Sequence, residues 1–500
     1  MNSQTLREAR KYEEAFGKMI AAGDRPAFHL STRTGWMNDP NGFCYYKGEY
    51  HMFYQYHPYD SVWGPMHWGH AVSKDLLHWE YLPAALAPDE PYDRDGCFSG
   101  NAIELPDGRL LLMYTGVATH TLNNGGSCDI QTQCLAVGDG IDFEKYQGNP
   151  VIDARKLPPG ASENHFRDPK LWRKKDGTYL CVFGNLAEDD AGQILLYESA
   201  DAFHWNFKKV LIQNHHRFGK MWECPDFFAL DGKQVLLTSP QDMFPQGFEY
   251  HNGNGTLCLI GSYDEETDDF TEETDHTVDY GIDFYAPQTV LTPDGRRVMI
   301  GWMQNWDTCN MSSPHMNEDL WFGQMSLPRE LSVKNGRLYQ KPLREFDALH
   351  CDEVRHENVA FSDTVRLPGV SGRLIDLEID LSPADGADIY RKFALRFAQN
   401  EQYHTSISFR PHESVVKIDR KFSGSRRAII HQRRCLVNSE NGKLKLRLIL
   451  DRFSAEVFIN DGEQVMSVTI YTDQAADGIS FFADGKVRMD VVKYSIKAEG

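Results

Sequence analysis

The 500-residue chain is short of several features that would commit it to a familiar class. It has no run of about 18 apolar residues, so nothing reads as a membrane helix. Lys and Arg total 52 against 72 Asp and Glu, and the net charge of −20 removes nucleic acid and anionic membrane surfaces as main partners. The ten cysteines include no CxxC pair, and the closest two, Cys128 and Cys134, have no histidine at zinc-finger spacing. They read as scattered core thiols. His67 and His70 are spaced for neither a zincin nor a zinc finger, and no glycine-rich phosphate loop occurs. No metal or cofactor is expected. The opening MNSQTLREARKYEEAFGKMI is charged throughout and lacks the apolar core of a secretory signal, which predicts a cytoplasmic protein. In that setting the sequons Asn254-Gly255-Thr256 and Asn310-Met311-Ser312 carry no meaning.

What is present is a folding chain, 41% hydrophobic and 12% aromatic, long enough for two cores. A turn dipeptide ending in glycine and followed by a β-type apolar run recurs five times. The glycines are Gly48, Gly108, Gly177, Gly232 and Gly295, four of them in Asp-Gly, a strong hairpin signal. Their spacings of 60, 69, 55 and 63 residues each suit one four-stranded antiparallel sheet with its loops. A second marker, an acidic turn before an aromatic, runs in phase at 73–81, 138–146, 199–207 and 262–270. Together they predict an all-β chain whose residues 28–345 form a five-bladed propeller.

Nine residues before the five glycines stand Asp39, Ser99, Asp168, Glu223 and Ala286. If each lies on the innermost strand of its blade, all five gather at the central axis. For one site alone, Asp beside Pro is ordinary turn chemistry. Three acids converging on one axis repel and lose solvation, which folding does not reward, so function is the better explanation. Such a cluster could hold a hard cation through oxygen ligands, or could hydrolyse a glycosidic bond with one carboxylate attacking and another donating a proton. Trp36, Trp63, Trp68, Trp222, Trp302 and Trp321 near the same end favour a small sugar ligand, since indole faces suit sugar rings. Asn38, Gln55, Ser99 and Arg167 are placed to read hydroxyl groups.

Three segments carry a family resemblance: Trp36-Met37-Asn38-Asp39-Pro40-Asn41-Gly42, Phe166-Arg167-Asp168-Pro169-Lys170 and Trp222-Glu223-Cys224-Pro225-Asp226. With FYQYHP (53–58), WGPMHWGH (63–70), FSGN (98–101), YGIDFYAPQ (280–288) and SAEVFINDG (454–462), they resemble glycoside hydrolase family 32, the β-fructofuranosidases. The resemblance implies a propeller followed by a β-sandwich. It implies Asp39 as nucleophile, Glu223 as acid/base and Asp168 as the carboxylate that holds fructose hydroxyls and stabilises the transition state. Trp36, Asn38, Gln55, Trp63, Phe98, Ser99, Arg167, Tyr285 and Trp302 would line the fructose pocket. His57 stands where many relatives have asparagine.

Retention of configuration would set the carboxyl groups of Asp39 and Glu223 about 5–5.5 Å apart. Glu223 would need a pKa raised from about 4.3 toward neutrality, pushed by Asp39 and Asp168. Arg167 is expected to help keep Asp39 ionised, and Cys224 to pack beneath Glu223.

Beyond 346–355, taken as a linker, apolar residues alternate through many short runs, which predicts a β-sandwich over 356–500 with no acid cluster. Residues 1–27 are expected as a helical extension, with Leu6, Ala9, Tyr12, Phe16, Met19 and Ile20 forming the packed stripe of a helix over 5–22. The activity expected is release of fructose from sucrose, sucrose 6-phosphate or short fructo-oligosaccharides. A fructan exo-hydrolase, a fructosyltransferase and a non-catalytic sugar-binding propeller are the alternatives.

Overall fold

A computed structural model describes residues 3–122, 125–309, 320–424 and 430–497; the Asn310 sequon lies outside them. No helix among them is long and apolar enough to cross a membrane. Five antiparallel sheets follow one another through Pro342. Their first strands are β1 (Gly35–Tyr46), β2 (Gly96–Glu104), β3 (Ala161–Arg173), β4 (Trp222–Leu230) and β5 (Tyr285–Leu291). Each of these touches the next, and β5 touches β1, so the five inner strands close a ring. A two-residue strand, Trp321–Phe322, pairs in parallel with the start of β1.

Both sequence repeats have a structural cause. The five turn glycines all have positive φ, from 76° to 95°, a region closed to most side chains. In the second marker, Asp75, Asp139, Asp201 and Asp264 each accept backbone N–H bonds from the residues two and three positions on. The acid therefore caps the turn between the third and fourth strands of a blade.

The second domain follows a 3₁₀ turn (Arg344–Leu349) without a loop. Residues 350–355, expected as linker, are already strand His350–Val365. Strand Gly478–Ile496 pairs with 375–383 along one half and with 392–399 along the other, joining two layers. Leu377, Ile379, Phe393, Leu395, Ile407 and Phe409 fill the space between.

The N-terminal helix α1 (Gln4–Gly17) is shorter than expected, and of the expected stripe Leu6, Ala9 and, beyond the helix, Ile20 are buried. Glu13 is buried with them, whereas Phe16 and Met19 are exposed and Tyr12 stacks on Phe16 at 4.1 Å. Glu13 is drawn in because the backbone N–H of Ala84 needs an acceptor, and Glu13 Oε1 meets it at 2.8 Å. Burial raises the Glu13 pKa to about 7.

The domains are joined by buried charge. His29 Nδ1 lies 2.7 Å from Asp451 Oδ2, and its Nε2 lies 2.9 Å from Glu456 Oε1. Arg329 bonds Glu456 through Nε at 3.0 Å and Asp279 through Nη1 at 3.0 Å. Arg420 reaches back from the sandwich to Asp283 at 2.6 Å.

Candidate active site

At one end of the axis all five inner strands break their ladder with a β-bulge. Bulges re-aim side chains, and here they turn the predicted residues toward the axis. In β3, β4 and β5 the bulge holds Asp168, Cys224 and Ala286 at φ of 65°, 49° and 50°, each followed by proline. Left-handed φ costs a non-glycine residue about 1–2 kcal/mol. Three such residues at one level mark a strained, built site.

The bulges correct the phase inferred from the glycines. Glu223 is not level with Asp168; it stands one residue earlier, level with Arg167 and Tyr285. The cause is turn length. The β4 hairpin closes through two residues, with Leu230 opposite Lys233, whereas β3 and β5 close through five, with Arg173 opposite Tyr179 and Leu291 opposite Arg297.

The site is therefore built in two tiers. In one, Glu223 is held between its neighbours at the same level: Arg167 donates to Oε1 from Nε at 3.0 Å and Nη2 at 2.9 Å, and Tyr285 donates to Oε2 at 2.7 Å. In the other, Asp39 and Asp168 meet across Cys224. The thiol lies 3.5 Å from Asp39 Oδ2 and 3.6 Å from Asp168 Oδ2, and the Cys224 N–H donates to the same Asp168 oxygen at 2.9 Å. Ser99 donates to Asp39 Oδ2 at 2.7 Å and Asn38 to Oδ1 at 3.1 Å. Asp168 Oδ1 accepts no hydrogen bond, and so it is free to meet a ligand.

Two expectations change. Arg167 serves Glu223 and stands 3.9 Å from Asp168, leaving Asp39 without a cation. Burial, reinforced by Glu223, raises the Asp39 pKa to about 6 despite its three hydrogen-bond donors. Burial, opposed by Arg167 but reinforced by Glu223 and Asp39, raises Asp168 to about 7. Cys224 lies between the two aspartates and not beneath the glutamate; its thiol is pushed upward by burial and the surrounding carboxylates, which keeps it a donor.

The remaining predicted residues surround these tiers. Trp36 donates to Asn38 Oδ1 at 2.8 Å and lies edge-on to Trp302, 6.0 Å between centroids. Trp302 is fully buried, and its Nε1 has no hydrogen-bond partner. Gln55 sits opposite the β1 bulge and ties it to blade two through the Cys97 carbonyl at 3.0 Å. Trp63 is 46% exposed at the rim, edge-on to Phe98. His57 bonds the Val62 carbonyl at 2.8 Å and packs its ring against Gly64, where a Cβ would fall 2.5 Å from it. It thereby shapes the loop that carries Trp63. Trp68, Trp222 and Trp321 are fully buried core residues.

Sequence reasoning missed Gln131 and Thr115. Gln131 Oε1 accepts from Arg167 Nη1 at 3.3 Å, and the Asp168 N–H donates to Thr115 Oγ1 at 3.1 Å. Both lie on outer strands of blade two, where no repeat marks them.

Known proteins resemble this chain along nearly its whole length. Residues 29–342 match the family model described as Glycosyl hydrolases family 32 N-terminal domain, and residues 345–498 match that for Glycosyl hydrolases family 32 C terminal. A sucrose-6-phosphate hydrolase of Escherichia coli is 39% identical over 92% of this chain and 91% of its own. A raffinose invertase of Escherichia coli is 38% identical over 92% of each chain. The structure of a Bombyx mori GH32 beta-fructofuranosidase variant in complex with sucrose superposes with a TM-score of 0.84 at 35% identity, covering 100% of this chain and 99% of that one.

Proposed function

The chain belongs to glycoside hydrolase family 32, and from that premise we propose that it releases fructose from the β-D-fructofuranosyl end of sucrose, sucrose 6-phosphate or short fructo-oligosaccharides. The observation that carries the reading is the two-tier arrangement. Asp39, wrapped in neutral donors, is the nucleophile that bonds the anomeric carbon. Glu223, aligned by Arg167 and Tyr285, protonates the departing glycosidic oxygen and then deprotonates the water that frees fructose. Asp168, with Oδ1 open, takes ring hydroxyls. Trp63 at the rim is the contact for the leaving group.

The nearest cation in the tiers, Arg167, is committed to Glu223. The pocket thus selects a neutral fructosyl unit, and the leaving group is chosen at the rim. Initial rates on sucrose, sucrose 6-phosphate, kestose and inulin rank the leaving groups. Equal release of glucose and fructose from sucrose identifies hydrolysis, and a fructose deficit identifies transfer. Mass spectrometry of Glu223→Gln quenched while turning over a fructosyl fluoride, whose leaving group needs no protonation, should find a fructosyl ester on the peptide containing Asp39. Turnover with no such adduct would remove the covalent route. Because the Asp39 carboxyl is raised to about 6, kcat/KM should fall as pH drops through about 6, well above the ordinary carboxylate range.

A further inference from the structure

The propeller axis has a second end. Below the bulges a polar layer crosses the channel: Gln288 donates to the Gly100 carbonyl at 2.9 Å, and Asn41 Oδ1 accepts from the Gly100 N–H at 3.2 Å. Beyond that layer the later residues of all five inner strands enclose a cavity of about 600 Å³. Its lining is basic in a protein of net charge −20: Lys170, Arg173, Lys174, Lys175 and Arg297 outnumber Asp226 and Glu265.

Three of the five cations are occupied. Lys170 bonds the Thr289 carbonyl at 3.0 Å and Asp226 at 3.1 Å, Lys174 bonds the Glu265 carbonyl at 2.8 Å and Asp268 at 3.2 Å, and Arg173 bonds the Gly177 carbonyl at 3.2 Å. Arg297 is different. It is half-buried, with its guanidinium over the Phe228 ring, 4.8 Å from the centroid. Its one hydrogen bond is a long contact to Thr289 Oγ1 at 3.5 Å, and Nε has no partner. Burial lowers its pKa from the ordinary arginine range, outweighing the opposing charge of Asp226. A half-buried guanidinium with one long hydrogen bond has donors to spare, and its planar fork suits an oxyanion. Lys175, exposed at the cavity mouth, adds an unspent cation. Opposite them, buried Asp226 Oδ1 also lacks a partner, so the complementary ligand offers a hydroxyl donor as well as negative oxygens.

We propose that this cavity, at the opposite end of the axis from the carboxylates, binds a hydroxylated phosphate, either hydrogen phosphate or a sugar phosphate, through Arg297 and Lys175 with a donor to Asp226. The site is separate from the fructosyl pocket and does not depend on the reaction proposed there.

The test is isothermal titration of the full chain with inorganic phosphate at low salt. Saturable binding of one ion per chain is expected, at least tenfold weaker in Arg297→Gln and about threefold weaker in Lys175→Gln, which touches no core. Far-UV circular dichroism and unchanged sucrose turnover verify that both variants fold. Repeating the titration with glucose 6-phosphate separates the sources: tighter binding than phosphate identifies a sugar phosphate, and equal binding identifies the free ion. The proposal is overturned if phosphate gives no saturable heat, or if binding persists in both variants. It is also overturned if binding is lost only in Arg167→Gln, which places the ion among the carboxylates.

Discussion

The acids at the propeller axis and those between the two domains are all buried, yet their surroundings are opposite. At the axis Asp39, Asp168 and Glu223 share one cation, Arg167, and the pKa values of Asp39 and Asp168 rise to about 6 and about 7. Between the domains Asp451, Glu456 and Asp279 share two, His29 and Arg329. There, against the upward push of burial, His29 holds Asp451 below its ordinary value, and Arg329 with His29 does the same for Glu456. Asp279 alone is raised, because burial outweighs Arg329. Burial by itself lowers His29, but its two acid partners raise it to about 9. The interface is compensated and holds the fold together. The axis is under-compensated: burial and the neighbouring carboxylates favour the neutral forms of Asp39 and Asp168, as is common at functional sites.

Substitutions should separate the two clusters. Asp39→Ala should lower kcat on sucrose by about 10⁴-fold or more while leaving the thermal midpoint at least as high; activity within tenfold of the parent would falsify the nucleophile assignment. Arg329→Met should do the reverse. It leaves Asp279 with no cation and Glu456 with His29 alone, costing about 3–5 kcal/mol by urea unfolding, with kcat per folded molecule unchanged.

The two clusters should also answer pH in different windows, each losing stability as pH rises. His29 is raised above its unfolded value of 6.5, so its contribution is full below about 6.5 and lost as pH rises through about 9. Thermal unfolding between pH 7 and 10 should show a loss on the order of 2–3 kcal/mol that His29→Gln removes. Asp168 is also raised, but it is an acid, so its folded form prefers the proton and its penalty grows from about pH 4 to about 7. Asp168→Asn should then be inactive yet more stable at pH 8, a gain that fades by pH 4.

The N-terminal helix shows how far pattern reading reaches. Its apolar stripe was legible in part, but Glu13 is buried because one backbone donor of the strand Trp79–Leu86 needs an acceptor. No local pattern records that need. Gln131 and Thr115 escaped for the same reason: their partners Arg167 and Asp168 lie in another blade.

The sequence by itself determined the repeat. Turn chemistry, glycine φ and capping aspartates act over a few residues, so five hairpins and the strands bearing Asp39, Asp168 and Glu223 can be read directly. The tier on which each acid stands was decided only by tertiary structure. The same Asp-Gly signal closes a two-residue turn after β4 and a five-residue loop after β3, and that choice depends on the register of the paired strand. One residue of register sets Glu223 beside Arg167 and Tyr285 and leaves Cys224 to bridge the two aspartates. That single step separates the candidate acid/base from the candidate nucleophile's tier.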